Sequence, residues 1–139
     1  MSNQKVNLSW IPEILESNDA IVWINVLKLD LAWKNDIAFY IGKRGHGKTK
    51  HKYDAFANWI TMAIESKLPI KSPHINCQNA NNGKVEFTNG RHRFAWLRDH
   101  GVKSLPVTTD PTEAIDIQKR FGTRSKRSIL ILPGRAKQS

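Results

Sequence analysis

Apolar positions along this chain follow two periods, and the elements they predict alternate. Between residues 52 and 66, Tyr53, Phe56, Ala57, Ile60, Ala63 and Ile64 recur at helical spacing, which predicts a helix with one core-facing side that stops before Pro69. Residues 21–31 are rich in β-branched and aromatic side chains and alternate toward their end, which predicts a strand. Short extended runs follow at 74–78, 84–88 and 104–107. From Arg91 the spacing is helical again, burying Phe94, Ala95 and Leu97 with Trp96 partly covered, and Gly101 stands where a helix C-cap belongs. Asp110, Pro111 and Glu113 read as the N-cap, first position and capping-box partner of a last helix reaching about Phe121 and Gly122. Near the start, Trp10, Ile11, Ile14 and Leu15 predict a short helix, and residues 79–83 form a turn by composition. The apolar run at 129–132 is an edge strand or a dimer contact.

A length of 139 residues suits one domain with a modest core. Charge changes the picture more than composition does. The net charge is +10 with a pI near 10.0. Residues 41–52 hold Lys43, Arg44, Lys48, Lys50 and Lys52, and residues 117–139 hold Lys119, Arg120, Arg124, Lys126, Arg127, Arg135 and Lys137; neither segment has an acid, and the remainder sums to −2. Segregated positive charge favours a polyanion, with nucleic acid the commonest and DNA the expected partner. No basic amphipathic helix points to a membrane surface, no apolar run reaches spanning length, and the first residues lack a signal-peptide core. The single Cys77 offers neither a disulfide nor zinc spacing. These features suit the cytoplasm. His74 reads as a surface or satisfied histidine rather than a ligand, and Cys77 as a buried rather than reactive thiol.

The stretch at 85–98 carries the chemistry. It is a strand ending at Gly90, from which a helix starts with Arg91, His92 and Arg93 in its first turn. A helix start leaves N–H groups unpaired and carries partial positive charge, so it favours phosphate before any side chain is counted. The cations repel one another, and the nearest acids are Glu86 and Asp99, so an anion would complete the cluster. A second phosphate motif competes with it. Gly42 to Thr49 fits the P-loop pattern, with an apolar run before it, and would place Lys48 on phosphate and Thr49 on magnesium. Too few strand–helix units follow to build a P-loop sheet, and no clear apolar strand ends in a Walker B aspartate. The same residues also serve as a flexible basic loop reaching phosphate or DNA near Gly90.

The residues from Phe87 to Val107, with Gly90-Arg91-His92-Arg93, the Gly101 turn and Leu105-Pro106-Val107, resemble the ParB/sulfiredoxin superfamily. The likeness is strong in this stretch and looser over residues 20–110. It is similar to the small single-domain members carried on plasmids and other mobile elements, fertility-inhibition proteins among them. The resemblance implies an α+β domain at 21–122, a small mixed sheet with helices packed around it, flanked by an N-terminal helical segment at 1–20 and a basic segment at 123–139. It implies a nucleotide site at Asn89, Gly90, His92 and Arg93, extended here to Lys48 and Thr49, with ATP or another nucleotide and magnesium as cofactors. It further implies ATP hydrolysis or sequence-tolerant DNA cleavage, with His92 and Arg93 as phosphate ligands; beyond the resemblance, the residues themselves add Arg91, His92, Arg93 and Glu86 as catalytic candidates and Glu86 as the metal-ligand candidate. Sulfiredoxins carry their cysteine where this chain has Arg91, so sulfinic-acid reduction is excluded. The chain is too short for the helix-turn-helix and dimerisation domains of a partition ParB. DNA contacts are expected from Lys43, Arg44, Lys48, Lys50, Lys52, Arg124, Lys126 and Arg127. The expected state is a monomer or weak dimer, with a DNA-transfer nucleoprotein complex as a further partner. A non-catalytic module gripping DNA or nucleoprotein is the alternative, and a P-loop NTPase the third.

Overall fold

The computed structural model describes residues 4–12, 18–77 and 84–132. In chain order the elements are β1 (Gln4–Asn7), β2 (Trp10–Ile11), β3 (Ala20–Asn25), α1 (Val26–Trp33), α2 (Lys50–Glu65), β4 (Ile70–Lys71), β5 (His74–Asn76), β6 (Glu86–Asn89), α3 (Arg91–Asp99), β7 (Ser104–Thr109), α4 (Ala114–Phe121) and β8 (Ile129–Leu132), with a 3-10 turn at Lys43–Gly45. Four strands form a mixed sheet in the order β3-β7-β5-β6. β7 pairs antiparallel with β3 and parallel with β5, and all six of its residues are buried. Its register sets Val107 opposite Val22 and Leu105 opposite Ile24, so these four side chains share one face of the core. The α+β architecture is the expected one.

Several elements depart from the sequence pattern. The strand foreseen over 21–31 ends at Asn25, whose side-chain oxygen accepts a hydrogen bond from Lys28 N at 3.0 Å and caps a helix. From there Val26, Leu29, Asp30 and Trp33 are buried at helical spacing, while Leu27 and Leu31, which suggested alternation, are 67% and 65% exposed. Trp10 and Ile11 form no helix; they pair in parallel with Ile70 and Lys71, and Ile14 and Leu15 lie outside the described residues, as does the turn at 79–83. The last helix starts at Ala114, because Asp110 caps a tight turn through Thr112 instead, and Glu113 accepts a hydrogen bond from Cys77 N rather than closing a capping box. The run at 129–132 pairs antiparallel with β1, and Leu130 is wholly buried in the core. Cys77 lies just past β5 with Arg120 Nη1 2.5 Å from its sulfur, and burial pushes its pKa up. His74 is satisfied by Thr108 Oγ1 at 2.9 Å and Asp19 at 3.5 Å.

One buried ion network ties the helices to the long connection between α1 and α2. Arg98, with 6% of its side chain exposed, donates to Asp30 Oδ1 at 3.0 Å, Asp99 Oδ1 at 2.9 Å, and the carbonyls of Ile41 at 2.7 Å and Gly42 at 3.0 Å. Asp30 also accepts from Tyr40 Oη, and Asp99 from Tyr53 Oη and Arg44 N, both at 2.8 Å. Burial of Tyr40, with Asp30 beside it, pushes its pKa up to about 12, so it remains a donor at any physiological pH. Removing one partner of such a network leaves a charge buried and unpaired. Arg98→Ala is therefore expected to cost about 3–5 kcal/mol in urea unfolding. Lys50→Ala, which breaks only the exposed i,i+4 pair with Asp54, should change stability by about 0.5 kcal/mol or less; equal losses from the two would contradict the network's role.

Candidate phosphate and nucleic-acid site

The start of α3 is built by a backbone feature that only glycine supplies cheaply. Gly90 stands at φ 85°, ψ 16°, in the left-handed region. A Cβ here would also lie 2.9 Å from Pro73 Cα and 2.7 Å from Arg93 Nη2, so the strand-to-helix turn is closed tightly over its neighbours. No side chain caps the helix, and its first turn holds no acid. The unpaired N–H groups therefore face the same region as three basic side chains.

Those side chains have different surroundings. The Arg91 guanidinium lies 5.0 Å from the centre of the Phe39 ring, and its Nε is buried with no hydrogen-bond partner among the described residues. His92 Nε2 is 2.9 Å from Thr49 Oγ1. Burial is the largest influence on His92, followed by the charges of Arg91, Lys52, His51 and Arg93, and together they push its pKa down to about 4. It is thus neutral at pH 7, one member of a cationic neighbourhood that gives up its own charge. Arg93 passes beneath Gly90 and lines a groove with His92 and Lys52.

The 42–49 segment reaches this helix start, but it is neither a P-loop nor a loose tether. Residues 37–41 form turn and coil, not the strand a P-loop requires, with Ile37 91% exposed. Arg44, Gly45 and Gly47 all have positive φ, and the ring of Tyr53 fills the space where a Gly45 side chain would be. Asp99 anchors one end of the segment through Arg44 N, and the Thr49–His92 contact anchors the other. Lys43, Arg44, Lys48, Lys50 and Lys52 are all exposed. Lys48 and Thr49 share a hollow of about 390 Å³ with Arg91 and Phe39.

The remaining candidates lie apart. Asn89 is exposed on edge strand β6. Glu86 is half exposed and pairs with Lys84 at 3.7 Å. It alternates with Phe87, whose ring packs against Trp33 and Phe94 beneath α3, so Glu86 points from the opposite face of the strand. Arg124, Lys126 and Arg127 are exposed, and Arg127 lines a hollow of about 260 Å³ with Lys103 and Gly101, at the far end of α3 from Arg91. Among the described residues no group of three His, Cys, Asp or Glu side chains could hold a metal, and no helix is long and apolar enough to cross a membrane. Sequence patterning missed Arg98, Asp30, Phe39 and Trp59, although Arg98 sits at helical spacing from the buried Phe94, a position that signals a buried ion.

A cationic helix start joined to a pinned basic loop on a mixed α+β sheet is the arrangement that the structure presents. The chain belongs to the plasmid fertility inhibition factor family, whose pattern matches residues 21–122. Among solved structures it is similar to the gold(I) cyanide derivative of the Oncogenic Suppression Activity Protein, described as a plasmid fertility inhibition factor. The TM-score is 0.61 at 21% identity, over 91% of this chain and 72% of that one. At that identity the likeness speaks for the fold. No curated protein sequence matches significantly.

The low His92 pKa has a readable consequence. NMR titration should show its imidazole unprotonated down to about pH 4, against about 6.5 for an unperturbed histidine. A folded-state pKa below the unfolded one means that its contribution is complete above about pH 6.5 and is lost as the pH falls toward 4. His92→Gln should flatten that part of the stability profile; a His92 midpoint near 6.5 would show that its burial and cationic surroundings are not as described.

Proposed function

We propose that this chain is a plasmid-encoded inhibitor of DNA transfer that works by holding nucleic-acid phosphate at the start of α3. The observation that carries this is the meeting of Arg91, His92 and the exposed cations of the 43–52 segment at one uncapped helix start, through the Thr49–His92 contact. The family's description supplies the plasmid setting and the fertility effect, and the ParB/sulfiredoxin likeness of the signature belongs to the same proposal. Arg91 and Arg93 hold phosphate oxygens as charged donors, His92 serves as a neutral hydrogen-bonding group, and Lys43, Arg44, Lys48, Lys50 and Lys52 add sequence-independent attraction. Arg124, Lys126 and Arg127 extend the grip beyond the other end of α3. ATP or another nucleotide presents the same phosphate chemistry and competes for the same place. Partners are DNA and the nucleoprotein complex that moves it.

Protein-held magnesium does not fit these residues. Glu86 is a single exposed carboxylate already paired with Lys84, on the strand face turned away from α3, and among the described residues no carboxylate joins Thr49 in its hollow. A second proposal, hydrolysis of ATP or of a DNA phosphodiester, is favoured by one observation: a neutral imidazole lies 2.9 Å from a hydroxyl, the geometry of a base poised on a proton donor. In that case Arg91 and Arg93 stabilise charge on the phosphoryl oxygens.

Fluorescence anisotropy with labelled DNA over a range of salt tests the main proposal. Arg91→Ala and Lys48→Ala should each weaken binding and lower the slope of log K against log salt by about 0.9. The triple variant Arg124→Ala, Lys126→Ala, Arg127→Ala should lower it by about 2 to 3, uniformly across sequences. Glu86→Gln should leave both affinity and slope as they are. An unchanged slope for Arg91→Ala and Lys48→Ala would remove the α3 start from the DNA contact. For hydrolysis, phosphate release or strand scission that disappears in His92→Gln while DNA binding persists would establish turnover.

A further inference from the structure

We propose that the groove beside the phosphate site, floored by Trp59, is a seat for an unpaired base of single-stranded nucleic acid. This rests on the nucleic-acid-binding function above and adds the form of nucleic acid that is held. The groove encloses about 410 Å³ between α2, the paired β2 and β4, and the start of α3. Lys52, Phe56 and Trp59 stand on one face of α2 over about 10 Å. Lys71 enters from β4, and His92 and Arg93 from α3, while no carboxylate among the described residues lines the space.

A partly exposed tryptophan is ordinary on a protein surface. What distinguishes this one is its support. Trp59 lies at 5.8 Å and 33° to Phe56, Phe56 meets Trp96 edge-on at 5.7 Å, and Trp96 stacks on His100 at 3.7 Å and 14°. The inner members are buried, Phe56 8% and Trp96 6% exposed, while Trp59 is 36% exposed at the outer end of the row. A platform already fixed by its neighbours loses little conformational freedom when a base settles on it. Every base has a π-face, so such a platform binds without sequence preference, and cations around it hold the adjoining phosphates. Cations from three separate elements surround this floor, which suits a strand carrying phosphate on both sides of each base. A duplex keeps its bases stacked on one another and cannot lay one flat on the indole.

The test is anisotropy with labelled oligothymidylate and with a duplex of equal length, for wild type, Trp59→Ala and Trp59→Phe, after circular dichroism confirms that each is folded. Trp59→Ala should weaken single-strand binding roughly 5- to 150-fold, leave duplex binding and the salt slope unchanged, and be largely rescued by Trp59→Phe. If wild type binds the single strand and Trp59→Ala binds it equally well, the seat is refuted while the phosphate grip stands. Equal losses on single strand and duplex would make Trp59 a support of the surface and overturn the seat. If millimolar ATP displaces the strand from wild type and loses that ability in Trp59→Ala, the seat takes a mononucleotide and the strand assignment fails. Binding of neither DNA form by wild type would overturn both proposals.

Discussion

The buried guanidinium of Arg98 is the constraint on which the rest of the molecule depends. It satisfies two carboxylates and two main-chain carbonyls, joining α1, the 40–45 segment, α2 and α3 at one point. A charge held this deep is stable only if its partners are all in place. The connection between α1 and α2 contains exposed apolar side chains and three residues of positive φ, so its own contacts do not fix its path. Arg98 and Asp99 fix one end of it, and the chain then reaches the start of α3, where Thr49 meets His92. The chemistry of the site is therefore set by an ion network at the opposite end of the same helix.

That arrangement separates two kinds of positive charge. Arg98 is neutralised within the fold and contributes to rigidity. Arg91 and the lysines of the 43–52 segment stand near a helix start with no acid in its first turn, and burial, with the neighbouring charges of Arg91, Lys52, His51 and Arg93 adding to it, depresses the pKa of His92. A neutral His92 adds no charge to this cluster, and the proposed phosphate would offset the charge of the arginines. The aromatic row that ends at Trp59 packs the same two helices together from another side, so the proposed base platform and the proposed phosphate site share one support.

How much of this was legible depends on what each residue is asked to do. Helices whose burial follows one simple period could be read directly: Tyr53, Phe56, Ile60 and Ala63 face the core, and Gly90 turns the chain where the anion motif needs it. The segment at 21–31 misled because Leu27, Leu29 and Leu31 alternate, although only Leu29 is buried; Asn25 was the overlooked signal, being a helix cap in the middle of an apolar run. Reading that run as a strand also hid Asp30, which lies on the apolar face of α1 as Arg98 lies on that of α3. A charged residue at a core position in each of two helices points to a pair, but the pairing itself is a tertiary fact. The P-loop pattern matched because glycine and lysine suit many tight basic turns. What precedes it is decided by Asp36 and Arg98, which accept and donate to the main chain around Tyr40 and Ile41 and leave no strand to form.

The central claim is that phosphate is held where α3 begins and the 46–49 segment touches it. Amide-resolved NMR during titration with inorganic pyrophosphate tests this most directly, since a bound anion perturbs the N–H groups that face it. The largest shifts are expected on residues 91–93 and 47–49, saturating together with one affinity. Shifts confined to residues 124–127, or spread evenly over all exposed lysines and arginines, would contradict it.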